Sequence, residues 1–162
     1  MNWLRTLMLL ALIVWIGGII FFAFVLAPTV FSVLPTRDLA GDVVNPSLLR
    51  LHWMGLASGI IFLTCSLVYN QVLRAQLRTF SGSHLLVTAM LVLTAASLFG
   101  VTPRMSSLRQ DMGVIDNVRF DDPRRIEFNR LHEWSTWLEG GVLFCGLGLV
   151  ALTARRFGKG NN

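Results

Sequence analysis

The chain has 162 residues, of which 54% are hydrophobic and 14% charged, with a mean hydropathy of +0.61. Soluble domains carry roughly a quarter charged residues, so this composition excludes an ordinary soluble enzyme or binding module. The net charge of +5 would suggest nucleic acid in a soluble protein. Here the basic excess sits in short pieces beside apolar runs, so membrane lipids with anionic headgroups are the expected partner and nucleic acid is not.

The first apolar run lies between Arg5 and Arg37, with no Asp, Glu, Lys or Arg inside it. It is far longer than the roughly 7–15-residue core of a signal peptide. It also holds Trp15, Phe21, Phe22 and Phe24, so it reads as a retained helix over about 4–27, kinked or ended by Pro28. A loop over 35–45 follows. Asn45 as cap and Pro46 as first helical residue predict a second helix over about 46–74. The turn Ser81–Gly82–Ser83 leads to a third over about 84–102, closed by Pro103. The stretch 104–121 is polar and mixed in charge. Asp122–Pro123 repeats the cap-plus-proline signature, which predicts a fourth helix over about 123–156, starting about two turns above the membrane.

A helix needs about 20 apolar residues to cross the hydrocarbon, and each of the four segments supplies them. The expected fold is all-α, a polytopic membrane four-helix bundle forming one domain over 1–162. With four spans the termini share a side. Six Lys/Arg (Arg5, Arg74, Arg78, Arg155, Arg156 and Lys159) and no acid occur on that side. Eight Arg among eight acids occur on the other, over longer loops. Density in the short flanks places both termini in the cytoplasm, with a bacterial inner (plasma) membrane as the expected location.

Setting each residue of the second helix over the one 80 further on aligns Arg50–Leu51–His52 with Arg130–Leu131–His132, and Cys65 with Cys145. The prolines that follow the first and third helices, Pro28 and Pro103, are 75 apart. This pattern predicts two similarly oriented hairpin repeats, related by an axis along the membrane normal. It also brings His52 and His132 to similar depth. Each cysteine lies about 20 Å further along its helix and points away from its own histidine, which disfavours a shared His/Cys metal site. Both cysteines read as small buried hydrophobes.

Asn129, His132, Ser135, Thr136 and Glu139 share one face of the fourth helix. A carboxylate inside a membrane helix marks a functional site by default. Two readings follow. In one, Glu139 carries a proton or coordinates a cation, backed by His132; in the other it snorkels to water or pairs with Arg50 or Arg104. The predicted polar pocket at the outer mouth comprises His52, Asn129, His132, Ser135 and Glu139. Its expected role is that of a small transporter-like or accessory bundle. One alternative is a redox protein whose His52 and His132 ligate haem b or a transition metal. Another is a structural subunit beside other membrane proteins or copies of itself. With no phosphate loop, nucleophile elbow or zinc-ligand spacing, the sequence points away from an enzyme. Trp53, Trp134 and Trp137 form an interfacial aromatic belt, Trp15 is a packing residue, and Gly55 and Gly59 with Ser58 make a close-packing face.

Trp15–Ile16–Gly17–Gly18 with Phe21, Phe22, Pro28 and Phe31, then Pro103, then Phe128–Asn129–Arg130–Leu131–His132–Glu133–Trp134–Ser135 and Leu138, resemble the transmembrane protein 205-like family. The resemblance implies a small four-helix membrane bundle of undefined function, with the polar start of the fourth helix as its signature. That family is similar in plan to copper-resistance membrane proteins, which keeps metal handling as an analogy. Trp15, Gly18, Phe21 and Pro28 also resemble a four-helix membrane protoporphyrinogen oxidase. That family carries a histidine one to two turns before the tryptophan, and Leu7–Ala11 has none.

Overall fold

A computed structural model describes residues 2–74 and 82–158, apart from the side chains of residues 2, 70, 72–74 and 155–158. Ser81, Arg78 and Lys159, used above, lie outside the described residues. Every long element is helical: α1 (Asn2–Phe21), α2 (Ala27–Val33), α3 (Arg37–Arg74), α4 (Gly82–Ala95), α5 (Thr102–Met112) and α6 (Pro123–Gly158). Single π turns, Phe22–Leu26 and Ala96–Val101, join α1 to α2 and α4 to α5. The described residues therefore form four rods, with no strand among them.

Pro28 and Pro103 do not end their helices. Each sits in the first turn after a π turn, where Ala27 N–H bonds Phe22 O and Thr102 N–H bonds Ser97 O. A proline ring cannot donate and collides with the carbonyl one turn back; the extra residue of a π turn realigns the ladder around that gap. The first rod thus continues to Val33, where Leu34, extended ahead of Pro35, breaks it. The third continues to Met112 and stops at Gly113, whose φ of 65° suits a glycine.

The second rod differs most from its sequence reading. Asn45 is not a cap and Pro46 is not the first residue: α3 starts at Arg37, and Pro46 lies within it. Thr36 Oγ1 accepts the Leu39 N–H at 3.3 Å and serves as the cap. A proline inside a helix costs about 3 kcal/mol. The early turns are held by contacts far off in sequence, described below. The fourth rod starts at Pro123, where Asp122 Oδ1 accepts the Arg124 N–H at 2.8 Å.

Neighbouring rods run antiparallel. Arg5 meets Tyr69, and Trp15 lies on Gly55 and Gly59, pairing α1 with α3. Ser66 bonds His84, and Trp53 meets Phe99, pairing α3 with the third rod. Gly141 faces Leu93, and Gly148 faces Leu86, pairing α4 with α6. The core where they converge is Leu12, Trp15, Ile16, Ile19, Leu51, Phe62, Val87, Met90, Val142 and Leu149. Outside it the rods present Ile13, Phe24, Ile60, Phe99 and Phe144, all exposed. So much outward apolar surface is stable only against hydrocarbon.

The apolar spans, Trp3–Val33, Arg37–Tyr69, Gly82–Met112 and Pro123–Ala154, hold 31, 33, 31 and 32 residues. At a rise of about 1.5 Å they exceed 45 Å, against a hydrocarbon core of about 30 Å. The charged residues gather in the starts of α3 and α6 and in α5, at the end of the bundle opposite the termini.

Candidate functional site

The close approach of α1 to α3 sets the level of the site. A Cβ at Gly55 would stand 2.4 Å from Trp15 Nε1, and one at Gly59 would stand 2.7 Å from Trp15 Cζ3. The small residues of α3 therefore form the seat of the Trp15 indole, itself 2% exposed. One turn before Gly55, His52 is turned into the bundle and is also 2% exposed.

There its Nε2 meets Glu139 Oε1 of α6 at 2.5 Å, and Glu139 is 18% exposed. The contact joins α3 to α6, 87 residues apart. Arg104, a candidate partner for Glu139 from sequence, instead makes two bonds to Glu127, at 2.8 and 3.1 Å. Glu139 is thus paired with a histidine rather than with an arginine. Histidine and a carboxylate are the usual carriers for moving a proton at neutral pH.

The predicted pocket divides. His52, Ser135 and Glu139 point inward, Ser135 being buried. Asn129 and His132 are exposed, as is Thr136, whose hydroxyl donates to His132 O at 3.0 Å. The helical face that carries Glu139 inward leaves His132, two turns earlier, exposed. His52 therefore meets Glu139 and not its sequence counterpart His132. Among the described residues, no three of His, Cys, Asp and Glu gather as a metal cluster would require.

Two further buried side-chain atoms are not used by these bonds. His52 Nδ1 and Ser97 Oγ have no hydrogen-bond partner among the described residues. Ser97 is fully buried in the second π turn, two residues before Phe99, whose ring meets Trp53 edge-on at 6.1 Å. Ser97 was missed because a lone serine in an apolar run carries no sequence signal. The π turn follows from Pro103, but only in hindsight.

At the opposite end, buried Ser66 and His84 are 3.1 Å apart. Between the two histidine sites lie Phe62, Val87 and Met90, all buried. Cys65 is buried and Cys145 half-buried, and both are free thiols.

A second polar group, also missed, lies at the projecting mouth. Arg109 Nη2 donates to Asp38 O at 2.6 Å and to Asp42 Oδ1 at 2.8 Å. Asp38 Oδ1 accepts the Ile115 N–H at 3.2 Å. A Cβ at Gly41 would stand 2.3 Å from Arg109 Nη1, so the guanidinium lies directly on the α3 backbone. These bonds hold the first turns of α3 against the end of α5. Asp38 and Asp42, four apart, are visible as a pair only once 37–45 is known to be helical.

These features define a multi-pass integral membrane protein of four apolar helical rods, with a part-buried histidine–glutamate pair between two of them. The chain belongs to the family of a domain of unknown function, DUF4149, whose match spans residues 10–113. The match covers the first three rods and stops short of Phe128–Ser135, the clearest part of the resemblance noted from sequence. No curated protein and no solved structure matches the chain.

Proposed function

We propose that this is a small transporter-like membrane bundle whose working element is the His52–Glu139 pair, which takes up and releases a proton at the outer mouth. One observation carries the reading: a histidine 2% exposed bonded at 2.5 Å to a carboxylate in an apolar span. Placing two titratable groups there costs more than an apolar contact of the same size, and a purely structural bundle gains nothing from it. Buried Ser135, about one turn from Glu139 on α6, and the unpartnered His52 Nδ1 supply further polar atoms beside the pair. With both termini in the cytoplasm, the site opens to the external side. The resemblance to transmembrane protein 205-like bundles agrees with this plan.

The test is proton flux into liposomes containing the purified protein and an internal pH dye, driven by a potassium diffusion potential. Wild type should acidify the lumen; Glu139→Gln, which keeps the shape and removes the ionisable group, should reduce the rate at least tenfold. Equal rates in wild type and Glu139→Gln, or no flux above empty liposomes, would refute the proposal.

A further inference from the structure

α1 and α6 are in close contact at Ile16, where a Cβ on Gly146 would stand 2.9 Å from Ile16 Cγ1. Toward the end that carries the termini they enclose a groove of about 410 Å³. It is lined chiefly by Leu9, Leu12, Ile13 and Gly17 of α1 and by Val150 and Ala154 of α6. A Cβ at Gly17 would meet nothing within 4 Å, and Ile13 is exposed, so the groove opens sideways from the bundle. Thr153 also lines it, but its hydroxyl donates to Leu149 O at 2.8 Å and is satisfied within α6. The groove therefore suits an apolar occupant.

Its length and position match one leaflet of a bilayer. Leu9 to Gly17 spans about 12 Å along α1, against about 15 Å for half of the hydrocarbon core. Arg5 stands one turn before Leu9 on the same face of α1, and Arg155 and Arg156 follow Ala154 directly in the chain. Charge at this end is unbalanced. The 9 acids all lie between Asp38 and Glu139, and none occurs in 1–37, 70–81 or 140–162. Arg104, Arg109, Arg119 and Arg124 each bond a carboxylate. Arg5 is exposed and meets the Tyr69 hydroxyl and ring, with no carboxylate partner among the described residues. A guanidinium has five N–H donors, so most of those on Arg5 remain for an anion.

We infer that this groove seats one acyl chain of an anionic phospholipid, with the lipid phosphate at the level of Arg5 and the Arg155–Arg156 pair. Lipid tails are as apolar as leucine, so the chain gains packing on two sides but little selectivity. Selectivity comes from the headgroup, attracted to the cationic end of the bundle. A second copy of the chain fits less well. A crossing helix needs a face of about 20 residues, longer than this groove. Pairing about an axis along the membrane normal would also bring the same basic ends together. Val150 lies about 16 Å along α6 from Glu139, so the groove is separate from the histidine–glutamate pair.

The experiment uses full-length protein, delipidated in an uncharged detergent, and native mass spectrometry with phosphatidylglycerol and phosphatidylcholine of equal chain length. One phosphatidylglycerol should bind saturably, at least tenfold more tightly than phosphatidylcholine. Gly17→Leu, which fills the groove, should abolish that site. Ala154→Phe, which adds bulk from α6, should weaken it at least tenfold even if Gly17→Leu fails to fold. Arg5→Gln should bring phosphatidylglycerol down toward the phosphatidylcholine level. Glu139→Gln should bind lipid as wild type does, so this site and the proton site stand or fall separately. The inference fails if folded wild type takes up no saturable phosphatidylglycerol, or if phosphatidylcholine binds equally well. It fails likewise if a folded groove-filling variant or Arg5→Gln binds as wild type does. Displacement of phosphatidylglycerol by equimolar decanoate would make the occupant a fatty acid, and a dimer that Gly17→Leu dissociates would make it a second copy. Either result overturns the phospholipid.

Discussion

Replacing Gly55 by alanine tests the seat of Trp15 directly. The new methyl group would stand 2.4 Å from Trp15 Nε1, 2.9 Å from Cε2 and 3.0 Å from Cδ1. That is about 1 Å inside normal contact for the nearest atom. The indole cannot slide away along α3, because Gly59 already lets its Cζ3 come within 2.7 Å of where a Cβ would be. α1 must therefore move off α3, which also disturbs the level of His52. Overpacking of this kind costs about 1–3 kcal/mol. Alanine regains about 0.5–1 kcal/mol of helix propensity over glycine, so the net loss is between about 0 and 2.5 kcal/mol. Gly17 and Gly140 have nothing within 4 Å of a Cβ, so alanine there should be neutral or stabilising. The assay is reversible unfolding in mixed micelles followed by tryptophan fluorescence. Trp15→Phe, which removes the clashing edge of the indole, should recover part of the Gly55→Ala loss in the double variant. A Gly55→Ala protein as stable as Gly17→Ala, or no recovery in the double variant, would refute this account of the helix contact.

Three other outcomes follow from the mouth of the bundle. Arg109→Ala removes the bonds to Asp38 and Asp42 and should cost about 1–3 kcal/mol locally, read as faster amide exchange over residues 38–44 with the transmembrane core unchanged. Gly41→Ala should give a similar exchange pattern by displacing the same guanidinium. The third concerns pH. The Arg124 side chain, and then its backbone N–H, hold the Asp122 carboxyl down at about 2 from 3.8. Because the folded-state value is the lower one, its contribution is complete above the unfolded value and is lost as pH falls from near 4 through about 2. Exchange at the start of α6 should accelerate across that window, and Asp122→Ala should accelerate it at neutral pH and abolish the change with acid.

Those features divide by the range of the forces behind them. The four spans were legible because lipid hydrocarbon admits only helices long and apolar enough to satisfy their own backbones. The start of α6 was legible because an Asp–Pro cap acts within two residues. Asn45–Pro46 carries the same local signature and misled, since Arg109, 67 residues away from Asp42, holds α3 helical well ahead of it. Pro28 and Pro103 looked like ends because the π turns that carry each helix past its proline have no sequence signature of their own.

The sequence by itself thus determined the class of molecule, the number of its rods and the face of α6 that bears Glu139. Only the tertiary structure decided which histidine meets that glutamate. His52 and His132 stand in equivalent sequence settings, but His52 is turned into the bundle against Glu139 and His132 lies on an exposed side of α6. The environment that makes a histidine more than a surface residue is supplied by other helices, and it is not written beside it in the chain.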